Sequence, residues 1–513
     1  MRNCIGVEIP EMIEGLNYLR PYDGIQDNGV LAQSSFKQPN KKHQKIVNSL
    51  EEAIRRCGIK DGMTISFHHH FRAGDYIVNM VLDTLAKMGI RDLTLAASSL
   101  SDCHSPLIEH IKNGVIRKIE TSGMRGELAD AVSKGLMDIP VVFRSHGGRA
   151  YAIAKGELKI DIAFLGAPSS DCAGNVNGFS REGDDSYACG SLGYAMVDAQ
   201  YAEKVIVLTN NLVAYPNTPC SIPETNVNYV VPVEKIGDPK GIASGATRYT
   251  NNPKELMIAQ KAAEVMEASG YFNDDFSFQT GTGGAALAVT RFLRDNMLKK
   301  GINAGFVLGG ITGAIVGLHK EGLIKKLMDV QSFDLDAIRS IKENFFHCEI
   351  SALQYAGCGS EGSAVEQLDM VVLSALEIDT DFNVNVITGS DGVIRGAVGG
   401  HQDTASGAKL SIIVAPSVRG RLPVIVDRVT TIVTPGNTVD VLVTDIGVAV
   451  NPLRQDLIER LTEAGLKLKT ISQMKQETEA IVGIPRKVEF DKKIVGVLTY
   501  RDGSVIDLIY KVK

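Results

Sequence analysis

A glycine-rich turn between a predicted strand and a predicted helix is the first candidate for chemistry. Residues 281–284 (Gly-Thr-Gly-Gly) follow the apolar segment 276–280 and precede a helical pattern. Glycine lets the backbone approach a ligand closely, and N–H groups at a helix N-terminus attract anions. We expect Thr282, Gly283 and Gly284 to donate hydrogen bonds to a phosphate or a developing oxyanion. A tight turn selected for packing alone is the alternative, and the spacing does not match a dinucleotide-binding fingerprint.

A second glycine-rich turn, Gly399-Gly400, stands before a polar cluster and another predicted strand. Its amides are free to donate, and His401 and Gln402, which follow directly, add adaptable polar groups. A plain β-turn is the alternative interpretation. In the first half of the chain, residues 145–149 (Ser-His-Gly-Gly-Arg) are a possible counterpart, because a double glycine occurs there as well.

Three consecutive histidines, His68 to His70, end the first predicted strand. Neighbouring residues of a strand point to opposite faces, and no cysteine or acidic residue stands close by, so no metal site is expected. His69 and His70 together with Arg72 are better suited to hold an anion; the alternative is that they are solvent-exposed loop residues. Further arginines could concentrate positive charge for an anionic substrate, and we assign Arg395 among them to substrate binding. These arginines are Arg125, Arg144, Arg149, Arg395, Arg419 and Arg421.

The elements that must carry these residues recur in two halves of the chain. Residues 159–178 match residues 367–386 without a gap, and Asp161 falls on Asp369, 208 positions later. A repeat of this length is the size of a domain, far longer than a solenoid repeat. The sequence therefore predicts an α/β protein made of two similar, doubly wound, mainly parallel-sheet domains that arose by internal duplication. The active site is expected in the cleft between them.

The chain divides into four predicted segments. Residues 1–40 are polar and rich in turn-forming residues, so we expect an arm that lies over the body or over a partner. Residues 41–232 form the first α/β domain. Residues 233–270 are a linker that includes a helix, and residues 271–513 form the second domain.

Composition limits the class of protein. The chain has 513 residues, of which 44% are hydrophobic and 22% charged, with a net charge of −6, as is typical of a globular protein with two or three domains. The slight acidity gives no general attraction to nucleic acid. No apolar run is long enough to span a membrane and no signal peptide is recognisable, so we expect a cytoplasmic location. The eight cysteines contain no C-x-x-C pair, so neither a zinc site nor a disulfide framework is expected.

Several segments resemble the coenzyme A transferases and, within that superfamily, the family of citrate lyase alpha chains. The resemblance covers nearly all of the chain after the N-terminal arm and implies the coenzyme A transferase type of fold in both domains. Its most specific segments are GELKIDIAFLGAPSSDCAGNVNG, FQTGTGGAALAV, SALEID, GGHQDTASGAKLSIIVAP and TPGNTVDVLVTDIGVAV.

The resemblance implies a transferase that moves a carrier-protein thioester from acetate to citrate. Most coenzyme A transferases use a glutamate nucleophile just after the strand that follows the G-x-G-G turn, and here that place falls on Gly309 or Gly310. A glycine cannot accept an acyl group, so citrate would attack the acetyl thioester directly and form a mixed anhydride. The amides of the two glycine-rich turns are then expected to bind the oxyanion. Relatives carry asparagine where this chain has Leu373, so their oxyanion hole is not copied residue by residue.

The resemblance also implies partners. They are citrate, an acyl carrier protein (gamma chain) with a CoA-like thioester prosthetic group, a citryl-lyase beta chain, and further subunits of a homo-oligomer or hetero-oligomeric complex. No permanently bound cofactor is implied. Two alternatives stay open. One is a CoA-transferase or acyl-CoA hydrolase that uses free CoA thioesters through Glu361 or Glu377; the other is a non-catalytic scaffold or metabolite sensor on the same fold.

Overall fold

The first half of the chain forms an α/β unit around a parallel sheet. The computed structural model describes residues 1–16, 19–24, 45–179, 188–243, 250–359, 362–486 and 488–513. The helices of this unit are α1 (Leu50–Cys57), α2 (Ile77–Lys87), α3 (Leu107–Lys112), α4 (Gly126–Ser133), α5 (His146–Lys155) and α6 (Gly193–Tyr201). Its strands are β1 (Thr64–Phe67), β2 (Leu93–Ala97), β3 (Ile116–Thr121), β4 (Val141–Phe143), β5 (Ile162–Gly166), β6 (Ser169–Ser170), β7 (Val176–Asn177), β8 (Lys204–Thr209) and β9 (Tyr229–Pro232).

The second half begins with a long helix inside the predicted linker. Its helices are α7 (Pro253–Ala268), α8 (Gly284–Lys300), α9 (Gly313–Lys320), α10 (Leu335–Glu343), α11 (Ala352–Ala356), α12 (His401–Gly407), α13 (Gln455–Glu463) and α14 (Ile471–Val482). Its strands are β10 (Phe276–Thr280), β11 (Ala304–Ile311), β12 (Ile324–Ser332), β13 (His347–Glu349), β14 (Met370–Ser374), β15 (Glu377–Asp379), β16 (Val384–Asn385), β17 (Leu410–Val414), β18 (Val418–Arg419), β19 (Leu422–Pro423), β20 (Ile425–Val426), β21 (Val441–Thr444), β22 (Gly447–Val450), β23 (Phe490–Thr499) and β24 (Val505–Val512).

The two sheets have the same strand order, which confirms the predicted duplication. The first contains β4-β3-β2-β1-β5-β8-β9 and the second β13-β12-β11-β10-β14-β17-β21. In each sheet these strands pair in parallel, and the order reverses beside the central strand, β1 or β10. The fold is therefore two similar, mainly parallel α/β domains.

The repeated aspartates have the same structural task in both halves. A carboxylate oxygen of Asp161 accepts the N–H of Thr64 at 2.7 Å, and one of Asp369 accepts the N–H of Ser277 at 2.8 Å. Each aspartate thus satisfies a backbone donor at the start of the central strand of its sheet. The repeat visible in the sequence records this shared requirement.

The two units share apolar packing. Leu308, Val330 and Leu373 of the second sheet belong to the same buried cluster as Phe67 and Leu165 of the first. A separate cluster covers the opposite face of the second sheet, where α7 and α8 pack. Burial of apolar surface between the units therefore fixes their relative position.

The C-terminal hairpin belongs to the first sheet, which corrects the predicted bounds of the second domain, 271–513. Its strands β23 and β24 extend the first sheet, because β23 pairs in parallel with β4, with Val497 opposite Val142. The hairpin covers an otherwise open sheet edge. Described residues of the predicted N-terminal arm lie against it: Nδ2 of Asn3 donates to the Ile506 carbonyl at 2.7 Å, and the Tyr22 N–H donates to the Val505 carbonyl at 2.8 Å. No helix in the described part of the chain is long and apolar enough to cross a membrane.

Candidate active site

A cavity of about 480 Å³ lies where the carboxyl ends of the two parallel sheets converge. Open α/β sheets bind ligands at this end of their strands. The first unit contributes residues that follow β1 to β4, and the second unit contributes residues at the ends of β10 to β12, β14 and β17. Eight of the eleven residues predicted for the site line this cavity. They are His69, Arg72, Thr282, Gly283, Gly284, Gly399, Gly400 and His401.

The turn at the start of α8 presents backbone amides to the cavity. Gly283 is the N-cap residue of this helix, and the Gly281 N–H donates to the Val372 carbonyl at 2.8 Å, which fixes the turn. A Cβ on Gly283 would lie 2.7 Å from the hydroxyl of Ser374, so a larger residue would require that side chain to move. Because the first N–H groups of a helix have no partner inside it, this turn can donate to an anion.

The turn Gly399-Gly400 presents a second pair of amides. Gly399 has a φ of +58°, which favours glycine, and a Cβ on Gly400 would overlap the hydroxyl of Tyr355. The Gly399 carbonyl accepts the His146 N–H at 2.8 Å across the interface between the units. Within the described residues, no acceptor contacts the N–H of either glycine, so both remain available to a ligand.

Asp403 ties this turn to the first unit. Its carboxylate accepts the Ser145 hydroxyl at 2.7 Å and the Gly147 N–H at 2.9 Å, and its side chain is fully buried. Burial raises the pKa of Asp403 to about 6, although the nearby Arg501 opposes this shift. The carboxylate therefore holds the start of α5 against α12.

The predicted equivalence of residues 145–149 with the second glycine turn is wrong. Residues 145–149 begin α5, which follows β4, whereas α12 connects β14 to β17 as α6 connects β5 to β8. The two segments are direct neighbours across the interface, and both also pack against α11, where a Cβ on Gly400 would meet Tyr355. A Cβ on Gly147 would in turn press on Ala356.

The first unit supplies aromatic and cationic side chains to the cavity. The ring of Tyr194 lies 5.0 Å from that of His69 and 4.6 Å from that of His146. Burial lowers the pKa of His146 to about 3 and that of His69 well below its usual range. Both imidazoles are therefore neutral at neutral pH and can serve as polar but uncharged groups.

Arg72 brings positive charge to the same wall. Its backbone has a φ of +52°, and its guanidinium donates to the Ile242 carbonyl at 3.1 Å and lies 4.9 Å from the ring centre of Phe333. Burial, and then repulsion from Arg125, lower the pKa of Arg72 to about 10. Arg125 and Arg419 also line the cavity. Three guanidinium groups around one cavity favour a substrate with several carboxylates.

Neighbouring side chains fill the place at which a glutamate nucleophile is expected. A Cβ on Gly310 would overlap the ring of Phe333. Gly309 has a φ of +103°, and a Cβ there would lie 2.7 Å from the carboxamide carbon of Gln279. The register between β11 and β12 also shifts between these two glycines. The local packing thus favours glycine at the two positions where a carboxylate is expected.

Three predicted site residues do not line the cavity. His70 is fully buried, and its ring centre lies 4.0 Å from that of His68. Arg395 forms an exposed ion pair with Asp391. Gln402 is buried and donates to the Thr499 carbonyl at 3.1 Å. Because β1 ends at Phe67, His70 lies in the connection after the strand, where its ring packs against His68, and the carboxylate of Asp391 holds Arg395 outside the cavity.

His401 lines the cavity, but protein groups occupy its ring nitrogens. Nδ1 lies 2.6 Å from the Thr434 hydroxyl, and Nε2 lies 3.0 Å from the Ser374 carbonyl. Since a carbonyl only accepts, Nε2 carries the proton and the Thr434 hydroxyl donates to Nδ1. Burial lowers the pKa of His401 to about 4. These contacts fit a supporting role for its ring.

The remaining arginine and glutamate candidates lie elsewhere. Arg144 pairs with Glu120 at 2.8 Å, and Arg149 with the buried Asp198 at 2.8 Å. Glu377 is buried and accepts the N–H of Thr430 at 2.8 Å, so its carboxylate is held away from the cavity. Glu361 lies outside the described residues.

Several cavity residues gave no recognisable signal in the sequence. Tyr194 and Tyr355 lie on helices, where an aromatic residue usually indicates core packing, and Gln279 is one polar residue within a strand. Glu255, on α7, is the one carboxylate among the described residues that line the cavity. Only its approach to the α8 turn, where a Cβ on Gly284 would lie 2.7 Å from its Oε2, marks it out.

Comparisons with known proteins agree with this architecture. The family model for the alpha subunit of citrate lyase matches residues 43–512. The citrate lyase alpha chain of Haemophilus influenzae is 60% identical over 472 residues, which cover 92% of this chain and 94% of the relative. The solved alpha subunit of citrate lyase from Streptococcus mutans, in complex with citrate, is 52% identical with a TM-score of 0.93 and covers 100% of both chains. A 4-hydroxybutyrate CoA-transferase from Porphyromonas gingivalis, 15% identical with a TM-score of 0.52, covers 86% of this chain and 97% of its own and shares the fold.

Proposed function

Because the chain belongs to the family of citrate lyase alpha subunits, we propose that it transfers a carrier-protein thioester from acetate to citrate without an acyl-enzyme intermediate. It is a transferase with a coenzyme A transferase fold. The absence of an acyl-enzyme intermediate is the part of this proposal that the geometry of the cavity supports. The observation that carries it is the glycine pair Gly309-Gly310, where packing by Gln279 and Phe333 leaves no space for a nucleophilic carboxylate.

The reaction consists of two attacks. A citrate carboxylate oxygen attacks the acetyl carbonyl carbon, and collapse of the tetrahedral intermediate breaks the C–S bond, which gives the mixed anhydride and the carrier thiolate. The thiolate then attacks the citryl carbonyl carbon of the anhydride. Collapse of this second intermediate releases acetate and leaves citryl-thioester on the carrier. No group on the protein needs to accept an acyl group.

Each attack places negative charge on a carbonyl oxygen. The free N–H groups of Gly283, Gly399 and Gly400 line the cavity and can donate to it. Loss of one such donor typically lowers the rate by about 10²–10³-fold. A route without a covalent intermediate also requires both substrates to be held together, and alignment of this kind can supply about 7–11 kcal/mol.

Citrate is the acceptor that the charge of the cavity favours. Arg72, Arg125 and Arg419 line it, and a tricarboxylate could engage more than one of them. The related protein from Streptococcus mutans was solved in complex with citrate. By the same family relationship, the donor is the thioester prosthetic group of the acyl carrier chain, and the citryl-thioester passes to the beta chain of a multisubunit complex.

Oxygen tracing in a single turnover tests the direct route. The chain in excess is mixed with acetyl-carrier protein and with citrate whose carboxylates carry ¹⁸O, and the released acetate is analysed by mass spectrometry. Direct attack leaves one citrate oxygen in the acetate. A covalent route would instead give unlabelled acetate in the first turnover, because the oxygen would come from an enzyme carboxylate.

Glu255→Gln is the matched variant for this experiment, since Glu255 is the described carboxylate that lines the cavity. We expect this variant to retain citrate-dependent acetate release with the same oxygen label. Unlabelled acetate, or a glutamyl hydroxamate after hydroxylamine treatment, would contradict direct transfer. Binding of citrate without acetate release would favour a non-catalytic role.

A further inference from the structure

His69 and Ser98 lie side by side at the ends of two neighbouring strands. Phe67 of β1 is level with Ala97 of β2 in the parallel register, so the residues that follow leave the sheet together. His69 lines the cavity, whereas Ser98 is fully buried behind it. Ser98 therefore contacts the side of the imidazole that faces away from substrate.

The Ser98 hydroxyl makes two contacts with His69. Its Oγ accepts the backbone N–H of His69 at 3.0 Å and lies 2.5 Å from Nδ1 of the ring. Ser98 is itself fixed, because its N–H donates to the Phe67 carbonyl at 3.0 Å and its carbonyl accepts the Ser122 hydroxyl at 2.6 Å. The geometry of the pair is thus set by the sheet.

The single hydroxyl proton of Ser98 determines which ring nitrogen of His69 is protonated. The Oγ atom already accepts one hydrogen bond from the His69 backbone. In the described part of the chain, Nδ1 of His69 is the acceptor found within reach of this hydroxyl. Buried hydroxyl groups donate when an acceptor is available, so the Ser98 O–H donates to Nδ1. The proton of the neutral ring is then on Nε2.

Other contacts keep the ring of His69 in place. It lies 5.6 Å from the ring of His146 and 5.0 Å from that of Tyr194. Nε2 of Gln331, from the second unit, donates to the His69 carbonyl at 3.0 Å. The imidazole is thus flanked by rings of the first unit and its backbone is held by the second, and among the described residues no hydrogen-bond partner of Nε2 is found, which leaves this nitrogen for the cavity.

We propose that Ser98 is a positioning residue that fixes His69 as the Nε2–H tautomer, so that His69 donates a hydrogen bond to a substrate oxygen. This inference deepens the proposed function and rests on it, since the oxygen in question is one that gains charge during transfer. A neutral donor suits this place, because it can bind the developing oxyanion without holding the product acetate by charge.

The tautomer can be measured independently of turnover. The full chain is labelled with ¹⁵N-histidine, and the His69 signals are assigned by their loss in His69→Gln. We expect a protonated Nε2 and an unprotonated Nδ1 in the wild type, and a mixture of tautomers in Ser98→Ala. An Nδ1–H tautomer in the wild type would overturn the inference even if citrate-dependent acetate release is observed.

Turnover of two His69 variants tests the role of the donor. The terminal amide of glutamine reaches the place of Nε2, whereas that of asparagine reaches the place of Nδ1. We expect His69→Asn to lower kcat by at least about 10²-fold. His69→Gln should keep at least about tenfold more activity than this, and Ser98→Ala should lower kcat more than it changes KM. If His69→Asn is as active as His69→Gln or more active, the donor role is refuted. If the wild type shows no citrate-dependent turnover, the proposed function is refuted instead.

Discussion

Alanine at position 310 should be costly because of one neighbour, the ring of Phe333. The added Cβ would overlap a ring carbon, and carbon atoms normally stay about 3.5–4.0 Å apart, so the ring must move by about 2 Å. This movement separates the ring from the Arg72 guanidinium, which now lies 4.9 Å from its centre. Loss of that contact, about 0.5–2 kcal/mol, and an off-rotamer ring, about 0.5–1.5 kcal/mol, together give about 1–3.5 kcal/mol.

Urea unfolding of a double-mutant cycle measures this cost. Gly310→Ala should lower the free energy of unfolding by about 1–3.5 kcal/mol in the wild type and by less than about 0.5 kcal/mol in a Phe333→Ala background. Gly317→Ala is the matched control, because a Cβ there meets nothing within 4 Å and alanine favours the helix by up to about 1 kcal/mol. Equal costs of Gly310→Ala in both backgrounds would refute the argument that Phe333 fills the nucleophile position.

Three further predictions concern the interface, pH and charge. Asp403→Ala should lower the free energy of unfolding by about 3 kcal/mol in urea, because Ser145 and Gly147 lose their acceptor, whereas Asp391→Ala on the surface should have little effect. Burial raises the pKa of Glu349 to about 7. The stability that this shift contributes is therefore complete below about pH 4.5 and is lost as the pH rises through 7. The stability of the wild type should therefore fall more between pH 5 and 8 than that of Glu349→Gln, and parallel unfolding curves would exclude this. Arg72→Ala should raise KM for citrate at least about tenfold through loss of a charge-assisted hydrogen bond, while Arg395→Ala, whose native side chain pairs with Asp391, should leave KM unchanged.

The duplication and the glycine turns could be predicted because each leaves a local mark in the sequence. Asp161 and Asp369 occupy equivalent positions because each accepts a backbone N–H at the start of a central strand. The residues around each aspartate are therefore similar over a short segment, and this similarity is visible in the sequence. The turn before α8 is flanked by a strand and a helix that are adjacent in sequence. The internal repeat and the turn-forming residues are therefore sufficient to predict these features from the sequence.

The features that the sequence does not reveal depend on contacts between residues that are distant in the chain, or on the direction of a side chain. The pairing of β23 with β4 joins residues more than 350 positions apart, from Val142 to Val497, and no local pattern announces it. His69 and His70 lie in the connection after β1, which ends at Phe67, so the alternation of a strand does not show which of them faces the cavity. The charge of Arg395 favours substrate binding, but Asp391, four residues earlier, pairs with its guanidinium and neutralises it.

The position of the last two strands has a consequence for synthesis and for dissection of the chain. Residues 490–512 complete the sheet begun by residues 64–67, so the whole second unit is inserted within the first. On the ribosome, the first unit must wait for the final residues to emerge before its edge is closed. A fragment cut within residues 233–270 would lack these strands, and the two halves cannot be produced as separate, complete domains.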